Sequence, residues 1–503
     1  MSMQRTRREF VIGAAAAAFA VRGGAWAQEA GGPLVKTRSG ALRGAYSGST
    51  RVFRGVPFAA PPVGALRFRP PVAAKAWTGE RDATKFAAAA MQSGAGNVPQ
   101  SEDCLYLNVW APVGKGPFPV FVWVHGGGFT GGRSFDPVFD GTRFAEEGIV
   151  CVTVAYRLGV FGFLDFEPLL GASYAGSANN AVRDLIAALR WVQENIGALG
   201  GDAHRVTLGG ESAGAKLTDI LMGVPEAEGL FHQMISESGG AERVWSKSDS
   251  AKVATGFGEA WGKGDLLTAP AGALIETQKS FLAAWPQHFP LRAQVDGALI
   301  PRLPVETITQ GSTRGKRLLI GTNRDESASF IGPHPQKDPT AGDLGNMSLS
   351  HFDAVYAKYA VLYPELTPER LRIRGVTAEE YWIPSMRVLD AHVKGGGKAW
   401  DYRLDFTESS GRLEGYAYHS LDNGLVWAKP HAEVGNAAAE AMLSGQVHAA
   451  WRAFLRGEAP AAAGLPVWPA YRSETRETMI LNAQSHVESK PQEAEMRLWD
   501  GVL

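Results

Sequence analysis

Cysteine is nearly absent. Only Cys104 and Cys151 occur in 503 residues, which excludes a disulfide framework and a cysteine-based metal cluster. Both sit in apolar runs, the setting of buried free thiols. A surplus of positive charge is also missing. The net charge is -1, and beyond residue 27 there are 46 basic against 50 acidic residues. Nothing in that balance recruits nucleic acid or an anionic membrane. Long apolar runs are lacking too. The stretch from Phe10 to Val21 falls short of the ~20 residues that span a bilayer, and no later stretch exceeds it usefully. No Gly-Lys-Ser/Thr phosphate loop appears. Neither does an internal repeat, nor a linker that would divide the chain. No metal or organic cofactor is implied.

The N-terminus reads as an export signal. Arg7 and Arg8 precede the alanine-rich apolar stretch, in the manner of a twin-arginine signal, and Ala25-Trp26-Ala27 forms a small-x-small cleavage site. Residues 1–27 are therefore expected to be removed, leaving residues 28–503 as one domain. The expected destination is periplasmic or secreted, with no stable membrane insertion after cleavage.

The remaining pattern is α/β. Short strands with glycine turns are expected between Pro33 and Phe58. Leu107–Trp110, Val120–Val124, Ile149–Ala155, Val206–Leu208, Met234–Ile235, Leu318–Ile320 and Trp400–Phe406 fit buried strands of one sheet. Asn179 to Ile196 has apolar residues at helical spacing, with Gly197 where a C-terminal cap belongs. Between Asp338 and Val393 the pattern turns helical and polar, as in an insertion covering the sheet edge. Strands alternating with helices predict a central, mostly parallel sheet flanked by helices.

The chemistry centres on Gly210-Glu211-Ser212-Ala213-Gly214. Strand, Gly-x-Ser-x-Gly, helix is the nucleophile-elbow pattern. A serine hydroxyl is a weak nucleophile, so a tight turn must lift it to where base and substrate both reach it. The pentapeptide alone recurs by chance in a chain with 60 glycines, so its partners matter. One is His125-Gly126-Gly127-Gly128-Phe129, placed after a strand. Glycines there let bare amides approach a developing oxyanion. Gly126, Gly128 and Gly131 also match Gly-x-Gly-x-x-Gly, but no helix opens after them, and the next strand ends at Tyr156 without a ribose-binding acid.

A serine needs a base, and the base a carboxylate, in the chain order serine, acid, histidine. Asp325 and Glu326 follow the strand Leu318–Ile320, and spacing leaves the choice between them open. Seven histidines come after them. His419 lies on a loop beyond a strand, with His431 and His448 as rivals, although His448 reads as helical.

Taken together these residues resemble the type-B carboxylesterases, the family of para-nitrobenzyl esterases, animal carboxylesterases and cholinesterases. Glu102-Asp103-Cys104-Leu105-Tyr106-Leu107-Asn108-Val109-Trp110, Tyr156-Arg157-Leu158-Gly159, and Gly200-Gly201-Asp202 before the elbow carry the likeness across the mature chain. The resemblance implies an α/β-hydrolase fold with a small N-terminal sheet and a largely helical insertion. It places the triad acid on Glu326 and the base on His419, beside the nucleophile Ser212. It puts the oxyanion donors on the amides of Gly127, Gly128 and Ala213, and supporting positions on Glu211 and Ser238. Phe129 and Trp427 are expected pocket walls. Leu199, Ala155, Ser327 and Ser420 depart from the family pattern, the last two replacing glycines after the acid and the base. Met91 occupies the neighbourhood where many members carry a cysteine that pairs with the equivalent of Cys104, so that disulfide is expected to be absent.

The expected activity is hydrolysis of a small to medium, largely apolar ester through an acyl-enzyme. An acyltransferase would use the same three residues, and a non-catalytic binding protein of the same fold would lack the nucleophile that stands here. The expected partner is a small-molecule ester; oligomeric state leaves no trace in the sequence.

Overall fold

The computed structural model describes residues 31–262, 264–332, 338–430 and 436–502. The expected signal and His431 lie outside them.

Eleven strands form one sheet. In chain order they are β1 (Ala45–Ser47), β2 (Thr50–Pro57), β3 (Tyr106–Pro112), β4 (Phe118–Val124), β5 (Val150–Val154), β6 (Gly201–Glu211), β7 (Gln233–Glu237), β8 (Arg317–Asn323), β9 (Lys398–Leu404), β10 (Glu477–Leu481) and β11 (His486–Ser489). Their spatial order is β11-β10-β9-β8-β7-β6-β4-β5-β3-β2-β1. From β10 through to β5 all neighbours pair in parallel, and antiparallel strands close both ends.

The sheet is buried on both faces, which explains its nearly unbroken apolar strands. On β4, Val120, Val122 and Val124 join the larger core, under helices α1 (Asn180–Asn195) and α2 (Ala213–Met222). Phe121 and Trp123 point the other way, into a core shared with helix α3 (Ala437–Leu455). The period of two along the strand divides one run of residues between two cores.

Four expectations need correction. The N-terminal strands split between two sheets: Leu34–Lys36, Ala41–Arg43 and Glu80–Asp82 form a separate three-stranded sheet, while β1 and β2 extend the large one. Helix α1 does not end at Gly197. A tighter turn, Ile196–Leu199, continues it to Gly200, whose φ of 87° supplies the left-handed cap. The helical insertion does not cover an edge. Its last helix, Ile383–Lys394, packs on the face of β8 and β9, and its first part forms a small core with Trp499. Finally, β10 and β11 escaped the sequence reading, because they are short and flanked by charge.

The parallel arrangement has one consequence for function. Val124, Glu211, Glu237 and Asn323 end their strands along the same edge of the sheet, so the loops after β4, β6, β7 and β8 converge there.

Candidate active site

The strand β6 runs straight into α2, and Ser212 is the single residue between them. Its backbone sits at φ 57°, ψ −125°, on the left-handed side where a side chain is strained. Glycines on either side make the turn fit. A Cβ on Gly214 would stand 2.0 Å from the Val124 carbonyl oxygen, and one on Gly210 would stand 2.5 Å from the backbone of Gly214.

Ser212 Oγ lies 2.7 Å from His419 Nε2. His419 Nδ1 lies 2.6 Å from Glu326 Oε2. The other oxygen of Glu326 accepts from the Asn323 amide at 2.7 Å and from the Ser238 hydroxyl at 2.5 Å. Every partner of this buried carboxylate is thus a donor. Burial opposes a charge on His419, and the carboxylates of Glu211 and Glu326 outweigh it, so the imidazole is held above its ordinary value.

Of the two acids that spacing left open, Asp325 faces elsewhere. It pairs with Arg324 and accepts from the Ala417 amide at 3.0 Å, bracing the loop that carries His419. His448 is a packing residue: its ring meets the Val426 carbonyl at 2.7 Å and Glu147 at 3.1 Å.

The loop after β4 lies across the elbow. A Cβ on Gly126 would meet Glu211 and Ser212 within 3.0 Å, and Gly127 and Gly128 have φ of 114° and 59°. Among the described residues, the amides of Gly127, Gly128 and Ala213 find no protein acceptor. Three unspent donors beside a serine hydroxyl make a site for negative charge. His125 anchors this loop. Its Nδ1 meets the Gly126 carbonyl at 2.8 Å, its ring stacks on Tyr156 at 4.6 Å, and Tyr156 donates to the His125 carbonyl at 2.8 Å. Burial pushes His125 down to about 4, so it is a neutral prop rather than a base.

Glu211 and Ser238 both reach the cluster. Glu211 Oε1 accepts from Ser420 at 2.5 Å and stands 3.2 Å from His419 Nε2. Burial pushes its carboxyl above the ordinary range.

The two expected wall residues do not serve as walls. Trp427 is 1% exposed and packs among Phe121, Trp123 and Phe144 in the core on the far face of the sheet. Phe129 is equally buried, its ring against Phe163 at 4.9 Å. The sequence offered aromatic neighbours of key residues, but strand and helix geometry turned both inward. The aromatic rings that do border the site went unread. Phe289 faces Gly128, Phe330 is 48% exposed with its ring 5.1 Å from His419, and Tyr381 lies 4.7 Å from His419 on its other side. These rings come from three separate segments, and no local pattern links them to the elbow. A cleft of 430 Å³ opens beside Gly128, lined by Thr130, Leu282, Trp285, Phe289 and Leu291. A larger surface groove, near Glu306 and Arg387, includes none of the residues above. No group of side chains among the described residues is arranged to hold a metal ion.

Comparison with known proteins accords with this geometry. Residues 31–499 match the model of the carboxylesterase family. The chain is 33% identical to a para-nitrobenzyl esterase of Bacillus subtilis (strain 168), over 91% of this chain and 96% of that one. It is 33% identical to a fumonisin B1 esterase of Sphingopyxis macrogoltabida, over 86% and 84% of the two chains. Among solved structures, a carboxylesterase of Geobacillus stearothermophilus superposes with a TM-score of 0.83 at 32% identity, covering 93% of this chain and 99% of its own.

Proposed function

The chain belongs to the carboxylesterase family and is a carboxylic ester hydrolase, and on that premise we propose that Ser212, His419 and Glu326 carry the reaction through an acyl-enzyme. The observation that carries this reading is the unbroken chain from Ser212 Oγ through both nitrogens of His419 to Glu326.

Ser212 gives its proton to His419 Nε2 as Oγ attacks the ester carbonyl. Glu326 keeps the imidazole in the tautomer whose Nε2 is free, and offsets the charge that the ring then bears. Negative charge moves to the carbonyl oxygen, where the amides of Gly127, Gly128 and Ala213 stabilise it without reorganising. The tetrahedral adduct collapses, and the departing alkoxide takes the proton from His419 and leaves as the alcohol. Water then gives a proton to the same nitrogen while it attacks the acyl group. The second collapse returns that proton to Ser212 and frees the acid.

The substrate we propose is a small to medium, largely apolar ester. The size and lining of the cleft beside Gly128 support it, as do the rings of Phe289, Phe330 and Tyr381. The test is covalent labelling by an organophosphate probe together with hydrolysis of an aryl ester. The label is expected on Ser212, and Ser212→Ala is expected to lose both labelling and turnover. A label on another serine, or turnover surviving in Ser212→Ala, would overturn the reading.

We further propose that residues 1–27 direct export to the periplasm or medium by a twin-arginine route. The paired Arg7 and Arg8 support it. No helix among the described residues is long and apolar enough to cross a membrane. Replacing both arginines with lysine is expected to leave active, uncleaved enzyme in the cytoplasm. Normal delivery of that variant would refute the route.

A further inference from the structure

Ser420 follows His419 directly, and its backbone lies at φ 68°, ψ 9°. Glycine adopts that conformation freely, whereas a residue with a Cβ does so at a cost. The side chain has an evident employment. Its hydroxyl donates to Glu211 Oε1 at 2.5 Å. That same oxygen stands 3.2 Å from His419 Nε2, the nitrogen that meets Ser212 Oγ at 2.7 Å.

From this juxtaposition we propose that Ser420 is a positioning residue: its hydroxyl keeps Glu211 ionised and aimed at His419 Nε2, so that Glu211 steadies the imidazolium formed when Ser212 loses its proton. The proposal rests on the assignment of Ser212, His419 and Glu326 made above.

Two physical requirements motivate it. In the resting site Nε2 carries a lone pair, and a carboxylate oxygen 3.2 Å away is repelled by it. A donor must hold that oxygen in place until the proton arrives, when repulsion turns to attraction. Ser420 is that donor. The second requirement is charge. Burial disfavours the Glu211 carboxylate, and Glu326 adds repulsion. Glu237 and Asp422 are two further buried acids that interact with it, and the phenols of Tyr156 and Tyr381 also face it. Against these stand the attraction of His419 and hydrogen bonds from Ser420 and Asn423. Remove the Ser420 hydroxyl, and Glu211 moves toward its neutral form. His419 then loses part of the charge that holds it above its ordinary value.

The experiment compares Ser420→Gly, Ser420→Ala and Glu211→Gln, singly and combined, by kcat and kcat/KM for a simple aryl acetate across pH. Ser420→Gly relieves the backbone, so it is expected to fold at least as stably as the parent. Even so, it should lose about tenfold in kcat, the scale of one charge-assisted hydrogen bond, with a smaller change in KM. The acid limb of kcat/KM, which reports His419 in the free enzyme, should move to lower pH by about half a unit. Ser420→Ala should match it, and in the Glu211→Gln background Ser420→Gly should cost less than about twofold. Parent-like kinetics in Ser420→Gly would overturn the proposal. So would a loss confined to Ser420→Ala, which would indict backbone strain, or an undiminished loss in the Glu211→Gln background. Ser212→Ala, run in the same series, separates the two levels. If it retains turnover, the triad assignment fails. If it is inactive while Ser420→Gly behaves as the parent, only the role of Ser420 fails.

Discussion

The α-carbon of Gly214 rests against the carbonyl of Val124, so closely that a Cβ there would lie 2.0 Å from the oxygen. The first turn of α2 and the end of β4 are thereby locked together. That contact is what brings the Gly126–Gly128 loop over Ser212.

Gly214→Ala is therefore expected to abolish stable folding, because the obstacle is backbone and cannot rotate away. Gly197→Ala is the control. No atom lies within 4 Å of its added Cβ and its φ is not left-handed, so it should be neutral or stabilising by up to about 0.5 kcal/mol. Thermal denaturation of the two variants checks the pair. Equal stability of both would refute the close-packing argument.

Ser212, His419 and Glu326 should behave as one unit. His419→Ala is expected to cost nearly as much turnover as Ser212→Ala, and the double variant little more than either alone. Glu326→Gln preserves shape but removes the charge facing His419 Nδ1, so it should lower kcat strongly with a smaller effect on KM. Asp325→Asn should do much less, since Asp325 braces the loop through Ala417 and Arg324. Steady-state hydrolysis of an aryl ester by these variants is the measurement. Losses that simply multiplied would contradict a shared proton path.

Asp219 supplies a prediction about pH and stability. It is buried on α2, accepts from Ser236 at 2.9 Å and the Gly240 amide at 2.7 Å, and burial pushes its carboxyl up to about 7. An acid whose folded value exceeds its unfolded value favours folding below the unfolded value of about 4, and that contribution is lost as pH rises toward about 7. Asn in its place keeps the acceptor oxygen and never ionises. Asp219→Asn should raise Tm more at about pH 8.5 than at about pH 5. A larger gain at the acidic value would reverse the sign and reject the argument.

Cys104 and Cys151 are both buried and unbridged, and burial pushes both thiols up. Native enzyme should react slowly with a thiol reagent, and denatured enzyme without reductant should yield two free thiols. Finding none, with a mass two hydrogens lower, would reveal a bridge.

Local pattern determined a good deal of this protein. Apolar strands buried on both faces, helical spacing in α1, and the glycines of the elbow and the His125 loop all record constraints between residues close in sequence. Such constraints survive in a single chain because backbone geometry imposes them over a few positions. The choice of Glu326 over Asp325 and of His419 over its rivals did not follow from spacing; resemblance to a family supplied it. Only the folded chain brings Ser212 to His419, 207 positions away in sequence. Tertiary structure also decided what no local pattern encodes. It sent Trp427 and Phe129 into cores and brought Phe289, Phe330 and Tyr381 to the rim of the site. It turned Ser420, in the sequence merely a serine in place of a glycine, toward Glu211. Which side chains share a cleft depends on how parallel strands order themselves and which face each loop crosses, and those are properties of the packed whole.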